Sequence, residues 1–113
     1  MIPNNCIYIS GAVSGLRRTE YMMRFREVEQ MFRKRGYDVL NPTLLWPNRW
    51  AWVYTLMQLI IGKRSAYRLT LAYDLKCLRR CKYIYMMWGS EHSRGARLER
   101  RKAREWGIIE VDN

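Results

Sequence analysis

The sequence predicts an α/β sandwich of doubly wound type, with helices on both faces of a parallel sheet of four or five strands. Three observations lead there. Short β-rich runs alternate with helical patterns along the chain, and the run Tyr83–Met87 is continuously apolar, as strands buried on both faces are. With 113 residues, 49% of them hydrophobic, the sequence predicts a single domain over 1–113 with one core and no need of a structural metal or disulfide.

The first strand is Cys6–Ser10, followed by a small-residue loop from Gly11 to Gly15. From Thr19 to Arg35 the apolar residues Tyr21, Phe25, Val28 and Phe32 fall on one helical face. Thr19 is the expected N-cap and Gly36 the stop. Tyr37–Leu40 restarts β structure, which Asn41 and Pro42 end. Leu71, Leu75 and Leu78 space a second helix over Tyr67–Cys81, and Tyr83–Met87 is the next strand. A third helix runs from Ser93 to Trp106, Gly107 closes it, and Ile108–Val111 is the last strand. In sheets of this type ligands sit at the carboxyl ends of the strands. That rule gathers the loops after Ser10, Leu40 and Met87 on one rim.

Leu44 to Ala66 departs from this plan. It holds Trp46, Trp50 and Trp52, and residues 50–62 carry no charge. Thirteen uncharged residues fall short of the roughly twenty needed to cross a bilayer. The segment reads first as an apolar helix against a neighbouring subunit, second as a lid over the ligand rim, and third as an interfacial membrane helix.

Twenty-one basic and ten acidic side chains give a formal charge of +11, and Arg outnumbers Lys by 16 to 5. The planar guanidinium suits phosphate and carboxylate, so the balance points to anionic ligands such as nucleotides, with nucleic acid possible but lacking any recognised motif. Cys6, Cys77 and Cys81 are an odd set without a CxxC pair, which argues against a disulfide framework or a zinc finger and for a reducing cytosol. No signal peptide is read at the N-terminus. The expected location is cytoplasmic. His92 is the sole histidine, which excludes a multi-histidine metal site.

The acidic residues carry more information. Glu99 shares a helical face with Ala96, Ala103 and Trp106, and Asp74 lies beside Leu71 and Leu78. A carboxylate on such a face is costly unless something uses or pairs it. Pairing with an arginine and catalysis are equally good accounts of each. Ser93, Arg94, Gly95 and Ala96 open the third helix, where a hydroxyl and free backbone N–H groups form an anion site or simply a cap. Neither GxGxxG nor GxxxxGK[ST] is present, so no dinucleotide or P-loop fingerprint is supported. Tyr8 is placed in the first strand, near the rim.

Taken together, IYISGAVSG, GYDVLNP, YDLKCLRRCKYIYMM and SRGARLE, in this order, resemble the nucleoside 2-deoxyribosyltransferase-like superfamily, in particular its small uncharacterised bacterial and phage branch. The similarity covers nearly all of the chain outside Leu44 to Ala66. It implies a flavodoxin-like three-layer sandwich. It also implies that Glu99 is the nucleophile that attacks the anomeric carbon and releases the base, with Tyr8 hydrogen-bonded to it and Asp74 in the sugar and catalytic site. Transferases of the superfamily carry an acidic residue six before the nucleophile. Here that residue is Ser93, as in the branch that hydrolyses 2′-deoxynucleoside 5′-monophosphates, where serine contacts the phosphate. The arginine of that branch's first loop corresponds to Ser14, with Arg17 and Arg18 close behind, and Lys82 replaces an acidic residue usual at its strand start. The expected site is therefore Glu99, Tyr8 and Asp74 for catalysis, and Gly11, Ser14, Arg17, Ser93 and Gly95 for substrate and phosphate. The expected ligand is a nucleoside or its 5′-monophosphate, with no metal or organic cofactor, and the expected assembly is a homodimer or larger. A nucleotide-binding or sensing module without turnover is the alternative.

Overall fold

The computed structural model describes residues 4–11, 17–45 and 51–112, with the backbone alone for Ala51. Four strands, β1 (Cys6–Ser10), β2 (Asp38–Leu40), β3 (Tyr83–Met86) and β4 (Ile109–Val111), form one parallel sheet in the order β2-β1-β3-β4. Ile7 lies opposite Val39 on one side and Tyr83 on the other, and Tyr83 opposite Ile109. This is the flavodoxin-like strand order with four strands.

Four helices, α1 (Arg18–Lys34), α2 (Ala51–Ile61), α3 (Lys63–Leu78) and α4 (Arg94–Glu105), complete it. Period-two alternation divides the core. Tyr8 and Ile84 face α3 and α4, where they pack with Leu78, Cys81 and Ala103. On the other face Phe32 of α1 makes edge contacts with Tyr37 and Tyr85, and Phe25 and Phe32 are buried. The cysteines are free thiols, with Cys6 Sγ and Cys81 Sγ 3.0 Å apart.

Element ends differ from the sequence reading for local reasons. Helix α1 starts before Thr19, because extended Arg17 is the N-cap and its carbonyl accepts the Tyr21 N–H; no side-chain cap is made. Helix α3 starts at Lys63 rather than Tyr67, since Gly62, at φ +87°, breaks the path from α2 and restarts a helix at once. It ends at Leu78 instead of Cys81. The apolar spacing runs on because Cys81 is buried in the core even though it lies beyond the helix.

Candidate active site

A cavity, with about 620 Å³ of empty space when the open solvent at its mouth is included, lies at the carboxyl ends of β1 and β3. Its walls come from β1 and from all four helices, with one 3₁₀ turn between them. Tyr8 and Gly11 rise from β1 and the start of its loop, and Phe25 comes from α1. Pro42 and Thr43 stand on a 3₁₀ turn, and Tyr54 comes from α2. Helix α3 gives Tyr67, Thr70, Leu71 and Asp74, and α4 gives Ser93, Gly95, Ala96 and Glu99.

Glu99 is only 6% exposed, on the α4 face that also buries Ala96 and Ala103. Two hydroxyls hold it. The Tyr8 O–H donates to Oε2, and the Ser10 O–H donates to Oε1 at 2.7 Å. No arginine pairs with it among the described residues. Burial pushes the carboxyl up to about 7, while the hydrogen bonds from Tyr8 and Ser10 oppose the rise. Both protonation states are therefore populated near neutrality. Burial first, and the Glu99 charge second, hold the Tyr8 phenol well above its ordinary value, so Tyr8 remains a donor.

Asp74 stands in the same cavity on α3. Burial, then the neighbouring Glu99 charge, push it up to about 8, and its buried Oδ1 has no hydrogen-bond partner. A carboxyl that is protonated at neutral pH thus faces one that is half ionised. Pairs of carboxyls separated in this way by their surroundings can divide acid and nucleophile roles between them.

Ser93 is the N-cap of α4, and its Oγ accepts the Ala96 N–H at 3.3 Å. Glycine at 95 keeps that end open, since a Cβ there would lie 3.2 Å from the Tyr67 hydroxyl. At Gly11 a Cβ would meet Met87 Sδ at 2.9 Å and Phe25 Cζ at 3.2 Å, so a larger residue would make these side chains shift. Arg17 is exposed at the start of α1, outside the cavity lining. Ser14 lies outside the described residues. His92 is exposed beside Glu91 in a 3₁₀ turn and does not line the cavity. Among the described residues no three His, Cys, Asp or Glu side chains are placed to hold a metal ion.

Ser10 and Tyr54 were not among the residues expected from sequence. Ser10 had a signal, because residues two apart on a strand share a face and it follows Tyr8 by two. Tyr54 belongs to the charge-free segment, whose helix α2 walls the cavity from one side. Thr43 is fixed by Asn41, whose Oδ1 accepts from the Thr43 N–H at 3.0 Å and the Thr43 hydroxyl at 2.7 Å.

Residues 5–111 match the model of a family described as a domain of unknown function, DUF4406. No curated protein and no solved structure matches the chain.

Proposed function

We propose that this chain, which belongs to the DUF4406 family, cleaves the N-glycosidic bond of a nucleoside or nucleoside 5′-monophosphate through a Glu99 nucleophile. The observation that carries the reading is the buried Glu99, gripped by Tyr8 and Ser10 in a cavity it shares with Asp74. The resemblance of the sequence to nucleoside 2-deoxyribosyltransferases supports the same assignment.

In the proposed reaction the ionised Glu99 attacks C1′, and the C1′–N bond breaks as a glycosyl ester forms. The departing base takes the proton of the Asp74 carboxyl, which burial keeps available at neutral pH. Water, or the N–H of a second base in a transferase, then attacks C1′, gives its proton back to the Asp74 carboxylate, and frees Glu99 as the ester bond breaks. Tyr8 and Ser10 steer the nucleophile but do not touch the substrate carbon. The rate is expected to rise as Glu99 ionises near 7 and to fall as Asp74 loses its proton near 8, with the two limbs belonging to the pair.

Tyr8→Phe and Ser10→Ala each remove a hydrogen bond that lowers the Glu99 pKa. Each should slow base release and move the acidic limb of the pH profile upward. Loss of rate with an unmoved limb would leave these hydroxyls a purely structural role.

Phosphate recognition is assigned to Ser93 and the N-terminus of α4. Ser93→Ala should weaken binding of a nucleoside monophosphate by about tenfold, the worth of a hydrogen bond to a charged group, and of the free nucleoside much less. Titration calorimetry with both ligands reads the difference. Equal losses would reduce Ser93 to a cap. Chromatographic detection of free base from a panel of nucleosides and their 5′-monophosphates tests the activity itself.

A further inference from the structure

Helix α2 carries more apolar surface than its own core uses. Its outward face presents Trp52, Leu56, Leu59 and Ile60, at spacings of four, seven and eight, with exposures of 69% at Trp52, 79% at Leu59 and 72% at Ile60. The half-buried side turned to the protein holds Val53 and Met57 together with the polar groups Tyr54 and Gln58. An apolar stripe of this kind in water marks a contact with something else.

Charge identifies the partner. From residue 39 to residue 90 the chain has eight basic residues and a single acidic one, Asp74, which lies in the cavity. Lys63 and Arg64 follow α2 directly and are exposed, and Arg68 and Leu69 stand exposed on α3, against which α2 packs. Within this stretch of chain the stripe is flanked by cations, and the one carboxyl of the stretch is turned into the cavity. A second copy would bring the same cations, on a chain of net charge +11, to the same border and repel it. Nucleic acid would satisfy the cations but leave the apolar stripe wet. A bilayer surface with anionic headgroups satisfies both, with the stripe in the acyl boundary and Lys63, Arg64 and Arg68 among the headgroups.

We propose that the outward face of α2, with the basic start of α3, docks the protein on an anionic membrane surface without crossing it. No helix among the described residues is long and apolar enough to span. This inference is independent of the chemistry assigned to the cavity.

Flotation with vesicles of phosphatidylcholine alone, and of phosphatidylcholine mixed with phosphatidylglycerol, tests it on the whole chain. The protein should float with the mixed vesicles and not with the neutral ones, and added salt should release it. Leu59→Glu with Ile60→Glu, both at exposed positions, should abolish flotation without lowering the melting temperature. Lys63→Glu with Arg64→Glu should cut the partition by tenfold or more, each position being worth roughly fivefold near such a surface. Failure to float with either vesicle, or equal flotation with both, overturns the proposal. So does light scattering that shows a lipid-free dimer which Leu59→Glu splits, since the stripe would then be a contact between copies.

Discussion

Replacing Glu99 with alanine is expected to abolish base release while nucleotide binding remains measurable. The carboxylate is the group that bonds to C1′, so its loss should slow turnover by roughly 10³-fold or more, about 4 kcal/mol of transition-state stabilisation. Binding survives because the cavity walls, including Tyr54, Tyr67 and Ser93, are untouched. Single-turnover kinetics with calorimetry on the same sample separates the two effects. A variant that keeps its rate would place the nucleophile elsewhere.

The same carboxyl should make the protein less stable as pH rises. Glu99 moves from 4.5 to about 7 on folding and Asp74 from 3.8 to about 8, so the folded chain holds protons that the unfolded chain has released. Their contribution is fully present below the unfolded values and is lost as pH climbs through the folded ones. Glu99→Gln removes one titration and keeps the shape. At about pH 9 it should be more stable than the parent by roughly 3 kcal/mol, and at about pH 4 the difference should nearly vanish. Denaturant unfolding across this range reads it directly. A stabilisation that does not change with pH would mean that Glu99 is not held near neutrality. The cost of keeping an ionisable group dry at this position is the usual mark of a site held for function at the expense of stability.

Much of this site was legible before any coordinates. Tyr8, Asp74, Ser93, Gly95 and Glu99 converge on one cavity because strand alternation, helical spacing and the strand-end rule each constrain them. The sheet followed from alternating β and helical patterns, which are period signals and survive single-residue errors at the ends. What escaped were facts set by tertiary packing. Nothing local says that α2 turns Tyr54 toward the cavity and Leu59 away from it, because a helix apolar all round has no sequence-level inside. Nor could spacing choose between an arginine and two hydroxyls as the partners of Glu99. Ser10 lies 89 residues away in sequence, and only the packing of α4 on β1 brings it near.

The most direct test of the central claim is to trap the glycosyl ester. A 2′-fluoro-arabino nucleoside 5′-monophosphate slows the second step of a retaining glycosidase, because fluorine destabilises the cationic transition state. The nucleotide should release its base to solution, and the protein should gain the mass of the fluorinated sugar phosphate and carry it on the peptide that contains Glu99. Saturable binding of the nucleotide panel with no base released and no adduct on any carboxylate would contradict the account and leave a nucleotide-binding module in its place.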